Sequence, residues 1–189
     1  PLPGRELVEA IPHKERQYEL AARCGIPQPQ TWFVSDRDAV ERLASRLPYP
    51  CCFKPIYSHQ WRRHFSEEKL RVVSSASELI ELFQTVHHLG VRGMIQELIP
   101  GGDDALYGLL AYLDSNGQPL GLLTKRKLRQ FPIQWGDGSL QVSCWVPQVA
   151  SLGLRFLQGI GFRGLAGVEF KWDARDGQFK LMEMNARTV

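Results

Sequence analysis

Two glutamates near the end of the chain carry the chemistry this sequence could do. In "GVEFKWDARDGQFKLMEMNAR", residues 167–187, alternation puts Val168, Phe170 and Trp172 on one strand face and Glu169, Lys171 and Asp173 on the other. If the chain turns back through a three-residue loop, Arg175-Asp176-Gly177, with Gly177 in the left-handed position, Glu169 lies directly across from Glu183. Asn185 then shares the face of Glu183. Like charges opposed on a sheet repel, and a divalent cation relieves the repulsion. Two carboxylates and an amide carbonyl are hard oxygen ligands of the kind Mg²⁺ takes, with further positions for water and substrate phosphates. A four-residue turn would instead slip the register by one and leave both acids solvated.

Other groups fit a phosphate-bearing ligand. Lys54 ends the apolar run "CCFKP", where its ammonium emerges as a point charge suited to phosphate. "IQELIPGGDD" offers Gln96 and Glu97 at a strand end, then glycines that let a planar ring approach, then Asp103 and Asp104 for a sugar hydroxyl. Basic residues cluster in "QWRRHF" (60–65) and "TKRKLRQF" (124–131), read either as solvated loops or as arms that grip a small polyanion.

The frame that must position these groups is that of a globular protein. The 189 residues, 43% apolar and 23% charged, suffice for one ordinary domain or two small lobes with a real core. A net charge of +3 is too weak to argue for nucleic acid by itself. No apolar run approaches the roughly 20 residues of a membrane helix, and the opening residues lack the apolar region of a signal peptide. The four cysteines, Cys24, Cys51, Cys52 and Cys144, have no metal-ligand spacing and read as reduced thiols of a cytoplasmic protein.

Periodicity predicts helices over about 13–24, over "SDRDAVERLASRL" capped by Ser35, over "SELIELFQTVHHL" capped by Ser77, and over "QVASLGLRFLQGIG". Strands are expected at "TWFV", "CCFKP", "LRVV" and "GMIQELI", with a polar aromatic loop at 57–68. Beyond residue 105 the expectation is a hairpin turning at Asn116-Gly117, a loop at "FPIQWGDGS", a short strand in "SLQVSCWVP", and the final hairpin. The fold class is α+β, with a first lobe of roughly 1–97 and a second from about 100, joined by a Gly-Gly hinge.

In this order the parts resemble the ATP-grasp superfamily, carboxylate–amine ligase type, as in the grasp domains of carbamoyl phosphate synthetase and biotin carboxylase. The carriers are Lys54 at a strand end, the Q-E-x-I hinge before P-G-G and an acid, E-F-K…E-M-N-A-R, and the opening "HKERQYELAARCGIPQPQTW". The resemblance implies two α+β lobes with nucleotide bound in the cleft between them: an opening helix and linker (1–30), a small lobe (31–97) and a large lobe (98–189). It implies Lys14 and Lys54 on ATP phosphates, Gln96, Glu97 and Ile99 on adenine, and Asp104, less surely Asp103, on ribose. It implies Glu169, Glu183 and Asn185 on two Mg²⁺ ions, Arg187 on the transferring phosphoryl group, and Arg126, Lys127 and Arg129 along the phosphate and acceptor side. The implied enzyme forms a C–N bond, or a bond to a thiol, from small carboxylate and amine substrates through an acyl phosphate, in the cytoplasm, with homodimerisation left open.

The sequence departs from that family in two ways. The loop over the phosphates is usually glycine-rich, whereas 57–68 has no glycine and offers His59, Arg62 and Arg63. The family's preceding Rossmann-like domain and its continuation past N-x-R are expected in a longer parent chain. Two rival readings stand beside the ligase: a non-catalytic or regulatory ATP-binding module, and a nucleic-acid binder that stacks bases on Trp61 and Trp135.

Overall fold

The computed structural model describes residues 1–66 and 68–187. The elements, in chain order, are α1 (Arg5–Ala10), α2 (Lys14–Arg23), β1 (Thr31–Phe33), α3 (Arg37–Ala44), β2 (Cys51–Pro55), α4 (Ser58–Phe65), β3 (Arg71–Val73), α5 (Ala76–His88) and β4 (Gly93–Glu97). A 3₁₀ turn, Asp103–Ala105, leads into β5 (Leu106–Leu113), β6 (Pro119–Phe131), β7 (Asp137–Ser143), α6 (Pro147–Gly159), β8 (Gly164–Asp173) and β9 (Gln178–Asn185). Helices and two all-antiparallel sheets make the chain α+β, as expected.

Residues 29–98 form one compact unit; residues 1–28 join 99–189 in the other, so the opening helices belong with the second sheet. In the first unit the sheet order is β1-β4-β2-β3. Phe53, Leu79, Phe83, Val86 and Ile95 close its core under α3 and α5. The helix caps lie one and two residues from the expected positions. Asp36, not Ser35, accepts the Ala39 N–H at 2.8 Å, and Ser75, not Ser77, accepts the Glu78 N–H at 3.2 Å.

The stretch read as a loop at 57–68 is largely helix: α4 spans Ser58–Phe65, while Glu67 lies outside the described residues. Only two apolar residues signal it. Trp61 and Phe65, four apart and so on one helix face, stack at 4.1 Å between ring centroids, and Trp61 is fully buried against Phe53 at 6.1 Å. The absence of glycine there follows from the helix, which glycine would weaken.

In the second unit the sheet order is β7-β6-β5-β8-β9. One face is core: Leu109 and Ala111 of β5, Val168 and Phe170 of β8, and Leu181 and Met184 of β9 bury with Val149 and Phe156 of α6 and Ala21 of α2. α2 also covers the outer edge of β9. The Gln17 side-chain amide donates to the Met184 carbonyl (2.8 Å) and accepts its N–H (2.8 Å), while the Tyr18 hydroxyl donates to the Met182 carbonyl (3.0 Å). Gln17 thus pairs with the strand as a neighbouring backbone would.

The last turn differs from expectation and still delivers the expected pairing. Asp173 pairs with Gln178, so the loop has four residues, 174–177, with Gly177 at φ 68°. A bulge at Met182 then inserts one residue into β9, and beyond it Glu169 faces Glu183 and Gly167 faces Asn185. The extra turn residue and the bulge cancel.

Candidate active site

The other face of the second sheet gathers charge in a row across four strands. Register pairs Lys125 on β6 with Gly108 on β5, Gly108 with Glu169 on β8, and Glu169 with Glu183 on β9. Gly108 has no side chain to separate the flanking ones: a Cβ there would sit 3.1 Å from Lys125 Cε. One rung along β6, Lys127 Nζ lies 2.9 Å from each Glu169 carboxylate oxygen. Only the contact to Oε2 has hydrogen-bond geometry, and Oε1 is buried without a hydrogen bond. Lys171, two residues past Glu169, donates to the Gly101 carbonyl at 2.8 Å.

Burial sets the electrostatics. Lys125 is 8% exposed, and loss of solvent pushes its ammonium below the ordinary lysine range; Glu169 opposes that shift and Lys127 adds to it. A partly dehydrated lysine next to a buried carboxylate holds positive charge where hydration does not saturate it. Glu183 and Asn185 are half-buried, and among the described residues no side chain hydrogen-bonds to either.

The donor set fits a hard cation. It offers two facing carboxylates, one with an oxygen lacking a hydrogen bond, and an amide two residues on. Among the described residues no group of three or more His, Cys, Asp or Glu side chains converges as a metal cage.

Other predicted residues of this unit lie elsewhere. Arg126 projects to the face opposite Lys127: its guanidinium sits 5.6 Å from the Tyr107 ring centroid, donates to the Asp104 carbonyl at 2.6 Å and pairs with its carboxylate at 3.0 Å. Arg129 follows a bulge at Leu128 and is exposed. Asp103 accepts from Gln130, both from its N–H (2.8 Å) and from its side-chain amide (2.9 Å). Arg187 is exposed just past β9, Lys14 opens α2 half-buried, and Ile99 is buried.

The first unit carries its own polar chain. Lys54 Nζ donates to Gln96 Oε1 (2.7 Å), and Gln96 Nε2 donates to Thr31 Oγ1 (2.9 Å). Gln96 is fully buried. Glu97, also buried, accepts the Gln30 N–H at 2.9 Å. Cys51 and Cys52 are buried, and loss of solvent, then the neighbouring Cys52, pushes the Cys51 thiol up to about 11, so it packs rather than reacts. Trp61 is equally inaccessible and cannot stack a base, which removes one support of the nucleic-acid reading.

Sequence reasoning placed Lys171 on the face of Glu169 without giving it a role, and it missed Lys125. The signal was present: residues two apart on a strand share a face, so Lys125 follows from Lys127.

Known proteins with the same arrangement identify the fold. The chain is 26% identical, over 96% of its length, to D-aspartate ligase of Enterococcus faecium (strain Aus0004). It superposes over 96% of its length on an ATP-grasp ligase solved with a precursor peptide and AMPPNP, with a TM-score of 0.64 and 19% identity. The chain has the fold of that ATP-grasp ligase. Biotin carboxylase from Campylobacter jejuni, solved as a β,γ-ATP complex, matches 99% of the chain with a TM-score of 0.74 and 17% identity. No family model matches. The chain spans 45% of the D-aspartate ligase, 43% of the biotin carboxylase and 51% of the peptide-bound ligase. No helix among the described residues is long and apolar enough to cross a membrane.

Proposed function

We propose that the chain is the ATP-handling part of a carboxylate–amine ligase that uses Mg-ATP and forms a C–N bond through an acyl phosphate. The observation that carries the reading is the pairing of Glu169 with Glu183 on one sheet face, beside Lys125 and Lys127. Similarity to a D-aspartate ligase over 96% of the chain supports it. Glu169, Glu183 and Asn185 would hold Mg²⁺, which when bound neutralises charge on the β- and γ-phosphates. Lys14, Lys54, Lys125 and Lys127 supply further positive charge for the phosphates, Gln96, Glu97 and Ile99 the adenine contacts, and Asp104 or Asp103 a ribose contact.

In the proposed reaction a substrate carboxylate oxygen attacks the γ-phosphorus and ADP leaves. The amine then attacks the acyl carbon, phosphate departs, and the nitrogen gives up a proton. The chain's part is positioning and charge neutralisation, since phosphoryl transfer asks for no protein nucleophile. Arg187 would stabilise the transferring group. The substrates are small carboxylates and amines, and the four cysteines read as reduced thiols of a cytoplasmic protein.

Calorimetric titration with ATP, with and without Mg²⁺, tests the binding. Assay of ADP release with paired acids and amines, D-aspartate among them, tests the ligase. Mg-dependent binding with amide formation is expected. Binding without product under every pairing would favour a regulatory module, and no Mg-dependent binding at millimolar nucleotide would overturn both readings.

A further inference from the structure

Met184 sits between Glu183 and Asn185, and Gln17 of α2, 167 residues earlier, grips its backbone. Gln17 is 3% exposed. Its Nε2 donates to the Met184 carbonyl (2.8 Å) and to the Ile11 carbonyl (2.9 Å), and its Oε1 accepts the Met184 N–H (2.8 Å). A flipped amide would set its NH₂ against an N–H and its oxygen against two carbonyls, so the partners fix its orientation. The Met184 side chain is buried in the core, and alternation therefore puts Glu183 and Asn185 on the opposite face. Both backbone groups of Met184 point away from β8, so the ladder bonds to β8 fall to its neighbours, Glu183 opposite Glu169 and Asn185 opposite Gly167. Residues 183, 184 and 185 are thus tied in turn to β8, to Gln17 and to β8.

We infer that Gln17 is a positioning residue for the cation: by gripping Met184 it fixes the pitch of β9, and with it the direction in which Glu183 and Asn185 present their oxygens. Element ends are among the first parts of a structure to open, and groups that orient metal ligands matter nearly as much as the ligands. Length and amide are both needed. Glutamate in place of Gln17 would turn an oxygen on the Ile11 and Met184 carbonyls, and asparagine is one methylene short of Met184. The inference rests on the Mg-ATP reading.

The ratio of ATP affinities with and without Mg²⁺, measured by calorimetry, tests it, because any loss of folded chain affects both affinities and cancels. Gln17→Met keeps the bulk and removes all three bonds; Gln17→Asn keeps the amide and shortens its reach. Each folded variant should lower the ratio by about tenfold or more, the range for groups that orient metal ligands. Val149→Ala weakens the same core from α6, which packs on β5 and β6, and should keep the parent's ratio. A parent without Mg-dependent binding would overturn the Mg-ATP reading and the inference with it. A Mg-dependent parent whose ratio survives in folded Gln17→Met or Gln17→Asn, or falls as far in Val149→Ala, would overturn the positioning role alone.

Discussion

Lys127 Nζ lies 2.9 Å from both carboxylate oxygens of Glu169, and the two side chains are 7% and 13% exposed. The lysine supplies positive charge to a carboxylate that has little water and another acid across the strand pair. Lys127→Met should therefore cost about 3 kcal/mol, the scale for breaking a buried ion pair from one side. Millimolar Mg²⁺ should return part of that loss and stabilise the variant more than the parent, as a ligand of the native state does. Urea unfolding with and without Mg²⁺ measures both. Equal stabilisation of the two proteins would show that metal and lysine do not serve the same carboxylate.

The two glutamates should separate on substitution. Glu183 is half-buried, and no described side chain bonds to it, so Glu183→Gln should change stability by less than about 0.5 kcal/mol, as substitutions away from special features do. Glu169→Gln abandons Lys127 in a dry setting and should cost about 2 kcal/mol, within the range for an orphaned buried charge partner. Both variants should lose Mg-dependent ATP binding. Calorimetry with Mg-ATP set beside thermal unfolding reads the two effects; retained Mg²⁺ dependence in both would refute the site.

Lys54 is bonded to a fully buried amide, Gln96 Oε1, at 2.7 Å. Lys54→Ala should lower stability by about 1 kcal/mol, one lost hydrogen bond with a charged donor partly replaced by water. Nucleotide affinity should fall further, by tenfold or more, if the ammonium serves phosphate. Lys54→Met separates the roles: it keeps the stem's packing but not the charge, so it should bind ATP as poorly as the alanine variant while unfolding nearer the parent.

The fold was legible where pattern repeats and obscure where single residues decide. Alternation along "GVEFKWD" and the existence of α5 and α6 follow from the sequence alone, although Ser75 rather than Ser77 caps α5. α4 does not, because two aromatic residues on one face of a polar octapeptide look like a loop until Phe53 is known to lie beneath them. The facing of Glu169 and Glu183 is legible only through compensation: a turn longer by one residue and a bulge at Met182, held at its carbonyl by Tyr18, cancel. Nothing local to "QFKLMEMN" announces that bulge. The basic run on β6 was legible as charge but not as direction. Alternation puts Arg126 on the face of Tyr107 and Lys127 with Glu169, a split that composition cannot reveal.

Asp173 gives the hairpin below the site a pH dependence whose sign is fixed. It is fully buried at the end of β8, with Arg175 Nη2 at 2.6 Å and Lys180 Nζ at 2.7 Å. The Arg175 guanidinium first, then Lys180 and the Arg175 N–H, hold its carboxyl well below the usual range against the opposing effect of burial. In the unfolded chain the same carboxyl protonates near pH 3.9. Between those two points the unfolded state binds the proton and the folded state does not, so stability rises with pH there. The contribution is complete above about pH 5 and is lost progressively as pH falls below about 4. Asp173→Asn removes it, at a cost of about 2 kcal/mol at neutral pH, the scale of a charge-assisted hydrogen bond. Urea unfolding between pH 3 and 7, with the variant beside the parent, should show the parent's advantage narrowing toward pH 3; a constant gap across that range would mean that Asp173 acts through packing rather than charge.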